Sequence, residues 1–281
     1  MKEENEKRGK GKKPVARHID PYGKRENPIE NEDDQNSGLI EGRNACLEAL
    51  RAGVVIDKLF IAKGETDKTL GHIAALSREA GAVISEVDKR KLDAMSKTHA
   101  HQGVIAKAAV SEYVEISDIL EIARRKNVNP LIILCDELSD PHNLGAIIRT
   151  AEVCGAHGVI ITKHRSAGLT PIVAKASAGA VYHMAIARAT NLSAAISELK
   201  KAGVWVFAAS AGGQTPLWQC DFTGATAIVI GSEGKGVGRL VEKNCDHTVK
   251  IPMFGKVSSL NASVSAAVLM YEATRQRTSN E

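Results

Sequence analysis

The sequence predicts an α/β protein in which a small α/β domain precedes a larger domain built on a parallel sheet. Two observations carry this prediction. From Leu131 onward, short unbroken apolar runs alternate with helical stretches, a pattern typical of parallel strands buried on both faces. Before that point, shorter strand-like runs surround one helical stretch. With 281 residues, 43% of them hydrophobic, the chain is long enough to bury both cores.

Residues 1–37 are predicted to form a disordered, charged tail. Residues 1–25 carry nine Lys/Arg against four Asp/Glu, whereas residues 26–34 carry five acids and no base. A segment this poor in apolar side chains cannot bury enough surface to fold. Such a basic arm either contacts a phosphate backbone or is simply solvated, and the sequence leaves both interpretations open.

Residues 38–110 are predicted to form the small N-terminal domain. Its first stretch, 38–53, has apolar residues at helical spacing and ends on a glycine suited to a helix stop. The other predicted elements are strands at 56–62, 82–87 and 103–109, a helix at 67–81, and a linker over 111–130 that contains a helix and ends in a turn at Asn129–Pro130.

Residues 131–281 are predicted to form the larger domain. The predicted strands are 131–135, 158–162, 204–210, 227–231 and 248–252. The predicted helices are 144–155, 172–180, 192–202, 236–244 and 262–275.

Composition argues against several classes of protein. No apolar run of about 18 residues is long enough to span a bilayer, and the N-terminus lacks the apolar stretch of a secretory signal, so a cytoplasmic protein is predicted. Five cysteines without a CxxC pair predict reduced, structural thiols and no metal site. An aromatic content of 4% argues against a broad base-stacking platform.

The first candidate functional segment is DPHNLGAIIRTA, residues 140–151, directly after a predicted strand. Ligands of α/β enzymes bind at such strand-to-helix turns. Asn143 is expected to cap the helix, Gly145 allows close approach, and Arg149 follows six residues after Asn143. Alternatively, these are ordinary turn, cap and surface residues.

The second and third segments also follow predicted strands. GSEGKGVG, residues 231–238, holds four glycines, which indicates either a ligand held close to the main chain or a flexible loop. It matches neither a Walker A loop nor GxGxxG. IPMFGKVSSLN, residues 251–261, offers Ser259 and Asn261, which either bind a ribose or cap the next helix.

Taken together, in this order and spacing, the three segments resemble the three motifs of the SpoU/TrmH branch of the SPOUT RNA methyltransferases. The resemblance spans about 130–275. In addition, KASAGA at 175–180 looks like the KxSxGA element of this family, and HQGV at 101–104 looks like the end of its N-terminal substrate-binding domain. The domain arrangement is similar to that of bacterial 23S rRNA guanosine-2′-O-methyltransferases.

The resemblance implies a deep trefoil knot at the carboxyl end, a ribosomal-protein-like N-terminal domain, and a homodimer. It implies transfer of a methyl group from S-adenosylmethionine to a ribose 2′-hydroxyl of RNA, most specifically a guanosine of 23S rRNA, free or in a large-subunit assembly intermediate. No membrane partner is implied.

The resemblance also assigns residue roles. Arg149 would orient the hydroxyl and stabilise its developing negative charge, since a guanidinium stays protonated. Asn143 would position Arg149 or the ribose, and Glu233 would orient these groups or accept a proton. Ser259 and Asn261 would complete the pocket. The residues expected to contact the methyl donor are Gly231, Ile251, Leu260 and Ala209.

The chain departs from the family pattern at one element, and other functions remain open. Tyr182 and Ala185 stand where related sequences commonly carry Glu and Pro. The alternatives are an enzyme acting on transfer RNA or on another ribosomal nucleotide, and a non-catalytic RNA-binding scaffold. A Rossmann-type enzyme is disfavoured because its glycine-rich turn should follow the first strand.

Overall fold

A computed structural model describes residues 38–64 and 67–278, which contain two β-sheets. The predicted charged tail, 1–37, lies outside the described residues. In the described part of the chain, no helix is both long and apolar enough to cross a membrane.

The first sheet, here called the small sheet, has four strands in the order β1-β4-β2-β3. Its strands β1 and β4 and its strands β2 and β4 are antiparallel, whereas β2 and β3 are parallel. The strands are β1 (Leu39–Glu41), β2 (Ile56–Ala62), β3 (Val83–Val87) and β4 (Val104–Ala108), and the helices are α1 (Arg43–Arg51), α2 (Lys68–Glu79) and α3 (Lys89–Met95).

Two features of this region differ from the sequence prediction. Residues 39–41 form strand β1 instead of the first turn of a helix, because they pair with β4, and Gly42, at a φ of +90°, turns the chain into α1. Helix α3 was not predicted. It begins after Asp88, whose carboxylate accepts a hydrogen bond from the Arg90 backbone N–H.

A helix within the predicted linker leads to the second sheet. This helix, α4 (Ile116–Arg125), begins in a capping box in which the Asp118 carboxylate accepts from the Glu115 backbone N–H at 2.9 Å.

The second sheet, here called the large sheet, has seven strands in the order β7-β6-β5-β10-β8-β11-β9, and every pair is parallel. The strands are β5 (Leu131–Asp136), β6 (Gly158–Thr162), β7 (Ile186–Ala189), β8 (Trp205–Ala209), β9 (Thr215–Pro216), β10 (Thr226–Gly231) and β11 (His247–Lys250). The helices are α5 (Pro141–Val153), α6 (Pro171–Ala176), α7 (Leu192–Lys201), α8 (Arg239–Asn244) and α9 (Ala262–Thr278).

Helices cover both faces of the large sheet, and each face has its own core. On one face α5 and α9 bury side chains such as Ile147 and Leu269, and on the other α4 and α7 bury Ile119 and Ile196. Each fully buried aliphatic side chain of this kind contributes about 1.5–3 kcal/mol. The predicted α/β fold with a parallel sheet is therefore confirmed, whereas the trefoil knot stays a prediction.

Strands β7 and β9 were not predicted from the sequence. β9 has only two residues, and β7 (IARA) carries a charged residue, Arg188, in place of an unbroken apolar run. Arg188 is tolerated there because its side chain finds an acidic partner from the small sheet.

That partner lies in a seam between the two sheets, formed by Asp57, Tyr113, Gly168 and Arg188. Arg188 Nη1 and the Tyr113 hydroxyl donate to Asp57 Oδ1 at 2.8 and 2.7 Å, and the Arg188 guanidinium lies 4.2 Å from the centre of the Tyr113 ring. Burial raises the pKa of the Tyr113 phenol, which keeps it a neutral donor. Gly168 leaves no room for a side chain, because a Cβ there would overlap the Asp57 carboxylate.

All five cysteines are free, and burial raises their pKa, for Cys46 to about 11 and for Cys135 to about 12. This fits the predicted reduced, structural thiols.

Candidate active site

The candidate site lies at one edge of the large sheet. Strands β6, β5, β10, β8 and β11 are neighbours and run parallel, so their carboxyl ends share that edge. The three segments singled out in the sequence leave the sheet there, after β5, β10 and β11.

Glu233 joins all three segments through one oxygen atom. Its Oε1 accepts hydrogen bonds from Asn143 Nδ2 at 2.7 Å and from Asn261 Nδ2 at 2.8 Å. In the described part of the chain, Glu233 Oε2 has no hydrogen-bond partner. We call these three residues the amide–carboxylate cluster. The sequence placed them on separate loops, and the structure brings them together.

The Asn143 amide is available for this contact because another residue caps the helix. Asp140 is the N-cap of α5, and its carboxylate accepts from the backbone N–H groups of His142 and Asn143 at 3.0 and 3.3 Å. Pro141 occupies the first turn, where a missing N–H is harmless. The expectation that Asn143 caps the helix is therefore wrong.

Asn261 caps the next helix, one of the two tasks that the sequence left open, and also joins the cluster. Its Oδ1 accepts from the backbone N–H groups of Ser263 and Val264 at 2.9 and 3.3 Å at the start of α9, while its Nδ2 donates to Glu233. The cap fixes the rotamer of Asn261, which holds the amide against the carboxylate.

Close packing of the main chain accounts for Gly231 at the end of β10, and positive φ angles of +77° and +67° account for Gly234 and Gly236. A Cβ on Gly231 would lie 2.0 Å from the Gly236 carbonyl carbon and 2.1 Å from the Val237 nitrogen. The Asp136 carboxylate accepts from the Gly238 N–H at 2.8 Å and ties the loop to β5, and burial raises the pKa of this carboxyl. The loop after β10 is thus held against the sheet.

Gly145 also allows close approach, but between two helices. A Cβ added at Gly145 would lie 2.5 Å from the Ala176 Cβ of α6. The contact positions α5, on which Asn143 and Arg149 lie.

The four predicted donor-binding residues lie near the carboxyl edge of the large sheet, as the cluster does. Ala209, Gly231 and Ile251 stand at or just beyond the carboxyl ends of β8, β10 and β11, and Leu260 lies in the loop that follows. Ala209 and Ile251 are half-buried, and the Leu260 side chain is 39% exposed. Apolar side chains open to solvent beside main-chain groups fit a ligand that has both an adenine ring and a polar amino-acid end.

Two predicted residues lie outside the cluster. Arg149 is exposed, and within the described residues it has no hydrogen bond or ion pair. Six residues along a helix correspond to about 9 Å of rise and about 240° of rotation, so Arg149 faces away from Asn143. Ser259 is exposed and has no hydrogen bond to the cluster.

A cavity of about 410 Å³ opens beside the cluster, on the side of β5 and β6. Its lining includes residues that the sequence analysis did not single out, among them Glu137, Ser139, Arg165 and Lys235. The signal for Arg165 was available, since KHR at 163–165 directly follows a predicted strand. The carboxyl-end rule applies to that loop as it does to the other three.

The departure from the family pattern lies on the surface. Tyr182 ends a 3₁₀ turn, Ala180–Tyr182, and is 60% exposed, whereas Ala185 is half-buried against the core.

Comparison with known proteins identifies the family. Residues 130–271 match the model of the SpoU rRNA Methylase family, and residues 39–114 match that of the RNA 2′-O ribose methyltransferase substrate-binding domain. The chain belongs to the SpoU methylase family.

Relatives and solved structures agree with this assignment. YacO of Bacillus subtilis, named as a TrmH family tRNA/rRNA methyltransferase, is 45% identical over 86% of this chain and 97% of its own length. The SpoU methyltransferase AviRb of Streptomyces viridochromogenes, solved with AdoMet, is 25% identical, with a TM-score of 0.55 over 89% of this chain and 94% of its own. An AdoMet-bound rRNA methyltransferase of Sinorhizobium meliloti is 25% identical, with a TM-score of 0.53 over 87% of this chain and 89% of its own.

Membership in the SpoU methylase family makes the chain an S-adenosylmethionine-dependent RNA methyltransferase. The predicted family, enzyme class and cofactor are thus confirmed. The roles of the individual residues stay predictions.

Proposed function

We propose that this SpoU methylase transfers a methyl group from S-adenosylmethionine to a ribose 2′-hydroxyl of ribosomal RNA, at a guanosine of 23S rRNA. The observation that carries the proposal is the amide–carboxylate cluster, in which Glu233 Oε1 joins Asn143 and Asn261 beside an open cavity.

The order of the strands supports a division of the site into two sides. The predicted donor-binding residues lie at or after the ends of β8, β10 and β11, whereas the cavity is lined by the loops after β5, β6 and β10. Strand β10 lies between β5 and β8, and Glu233 follows β10. Glu233 thus stands where a donor on one side would meet a ribose on the other, which is the alignment that an in-line displacement requires.

In this reaction the ribose oxygen gains the methyl group, the bond between sulfur and methyl breaks, and the hydroxyl proton leaves. S-adenosylmethionine supplies the electrophilic methyl group. Glu233 Oε2, which has no partner within the described residues, accepts the proton, while Oε1 keeps both amides in place. Arg149 stabilises the negative charge that develops on the oxygen.

A homodimer would bring Arg149 to the cluster of the partner subunit. The exposed side of α5 presents Arg149 and, one turn later, Val153, which is 61% exposed. Helix α9 packs against α5, with the Thr274 hydroxyl donating to the Cys154 carbonyl, and exposes Val264 and Tyr271. Exposed apolar side chains on two packed helices, together with a cation that has no partner among the described residues, support an interface at this surface.

The test begins with Arg149→Ala and tritiated methyl transfer into unmodified 23S rRNA. Loss of one charge-stabilising donor lowers kcat by about 10²–10³-fold. Donor binding, measured by calorimetry, should be unchanged. Full activity of this variant would refute the role of Arg149.

Mixing two inactive variants tests the dimer. If Arg149 serves the partner's site, unfolding and refolding Arg149→Ala together with Glu233→Ala restores activity, because a mixed dimer holds one intact site. Each variant refolded alone is the control. No recovery in the mixture would place Arg149 in the site of its own chain.

Ribosomal RNA is favoured over transfer RNA because a separate N-terminal domain is present and the Sinorhizobium rRNA methyltransferase matches 87% of the chain. With ribosomal RNA as substrate, we expect the protein to act in the cytoplasm. Mapping ribose methylation in cells with and without the gene identifies the nucleotide. A missing methyl group in transfer RNA would favour the alternative substrate.

A further inference from the structure

The loop after β6, residues 163–168, separates the candidate site from the small sheet. Arg165 lines the large cavity beside the amide–carboxylate cluster and also a second cavity of about 100 Å³ between the two sheets. Lys163 and His164 line the second cavity as well, together with Lys58 of the small sheet. We call residues 163–168 the basic loop.

The loop is held in one conformation from both sides. Ala167 N and the Ser166 hydroxyl donate to the Leu138 carbonyl at 2.8 and 3.0 Å, and Lys163 N donates to the Ala189 carbonyl at 2.8 Å. Because these contacts fix the backbone, the cationic side chains project from a pre-formed support, which lowers the entropy lost when a ligand binds.

The carboxylates that line the two cavities are already engaged. Asp57 accepts from Arg188 and Tyr113, Asp140 caps α5, Glu233 holds two amides, and Glu137 pairs with Arg165 at 2.7 Å. The Arg165–Glu137 pair is exposed, and such pairs are weak enough to exchange partners.

Several cations, by contrast, have no acid partner within the described residues: Lys58, Lys163 and Lys235. Burial and the nearby positive charge of Arg188 lower the pKa of Lys163. A bound anion would relieve this repulsion between like charges.

We infer that the basic loop binds backbone phosphates of the RNA next to the nucleotide that is methylated, and leads the strand from the candidate site toward the small sheet. This inference rests on the proposed function. Adjacent strands lie about 4.8 Å apart, so the ends of β10 and β6 are separated by about 10 Å. RNA neighbours of a ribose at Glu233 lie within that distance.

The test is the salt dependence of RNA binding by Lys163→Gln/Arg165→Gln, measured without the methyl donor. The probe is a labelled single-stranded RNA of mixed sequence, followed by fluorescence anisotropy between 0.05 and 0.5 M KCl. Loss of two phosphate contacts should reduce the slope of log K against log salt by about 1.4, which corresponds to about 25-fold weaker binding near 0.1 M KCl.

The matched control is Arg124→Gln/Arg125→Gln on α4. It also removes two exposed cations, both paired with Glu121, and should bind RNA like the wild type. The exchange Lys163→Arg/Arg165→Lys keeps the charge and should preserve the slope. In methyl-transfer assays the Lys163→Gln/Arg165→Gln variant should raise KM for RNA and leave kcat unchanged.

An unchanged slope in Lys163→Gln/Arg165→Gln, or an equal loss in the α4 control, would overturn the inference. Failure of the proposed function would look different. In that case the wild type would bind RNA with a slope that depends on Lys163 and Arg165, yet transfer no methyl group to a guanosine 2′-hydroxyl of 23S rRNA.

Discussion

Glu233 lines the cavity and holds two amide groups through one oxygen, while its other oxygen has no hydrogen-bond partner among the described residues. A glutamine at this position would keep an acceptor for both amides but would lose a group that takes up protons. The two oxygens of Glu233 can therefore be tested separately.

We expect Glu233→Gln to lower kcat by about 10²–10⁴-fold, the usual contribution of a general base, with little change in the melting temperature. The comparison is Glu233→Ala, which also leaves Asn143 and Asn261 without their acceptor and should melt earlier. Methyl transfer and thermal unfolding measure the two effects. Glu233→Gln activity within threefold of wild type would mean that Glu233 only orients the amides.

The sequence identified the members of this cluster but not their hydrogen bonds. The resemblance of three segments to the motifs of the SpoU/TrmH family singled out Asn143, Glu233 and Asn261. Both Asp and Asn favour the N-cap position, so the sequence allowed Asn143 as the cap, and only the structure shows that Asp140 occupies it. Contacts between residues 90 positions apart, such as that from Asn143 to Glu233, depend on the packing of the whole sheet.

Helices α5 and α6 approach so closely that their contact admits only hydrogen at Gly145. This contact sets the position of α5, and with it both Asn143 and Arg149. A second helical glycine, Gly71 in α2, has no neighbour within 4 Å of the place where a Cβ would lie. Substitution by alanine at Gly71 therefore changes helix propensity alone, whereas at Gly145 it changes both helix propensity and packing.

Gly145→Ala should lower the free energy of unfolding by about 1–3 kcal/mol, because overpacking outweighs the gain in helix propensity. Gly71→Ala should raise it by about 0.5–1 kcal/mol, since only propensity changes. Urea unfolding of both variants gives the comparison. Equal stabilisation in the two variants would show that α5 and α6 can move apart without lowering the free energy of unfolding.

Elements with an unbroken apolar run were predicted within a few residues, as β5 and β10 show. Elements whose stability comes from distant partners were missed. Strand β1 lies in a stretch, 38–53, whose apolar residues have helical spacing, yet pairing with β4 decides its conformation. In β7 the charged residue Arg188 interrupts the apolar run, so the strand was not predicted. Its acidic partner, Asp57, is 131 positions away and cannot be inferred from the local sequence.

On the scale of the whole molecule, the seam joins the sheets through a nearly buried ion pair. The side chains of Arg188 and Asp57 are 9% and 13% exposed. Removing one partner of such a pair leaves the other charge buried without a counter-charge, which lowers the free energy of unfolding. Removing both charges lowers it far less.

Arg188→Met should therefore lower the free energy of unfolding by about 3–5 kcal/mol, and addition of Asp57→Asn should restore part of that loss. Lys200→Met, which breaks the more exposed pair with Asp246, should cost about 1 kcal/mol or less. Denaturant unfolding of these variants completes the comparison. A loss below 1 kcal/mol in Arg188→Met would contradict a structural role for the seam.

Gly168 limits which N-terminal domains can be combined with this large domain. The Asp57 carboxylate occupies the space that a side chain at position 168 would need. The residue at position 168 in the large domain must therefore match the residue at position 57 in the small one. A chimera that takes its N-terminal domain from a homologue without an aspartate at position 57 would leave Arg188 without its acceptor. Exchange of RNA specificity by domain grafting would thus require Asp57, Tyr113, Gly168 and Arg188 to be transferred as one set.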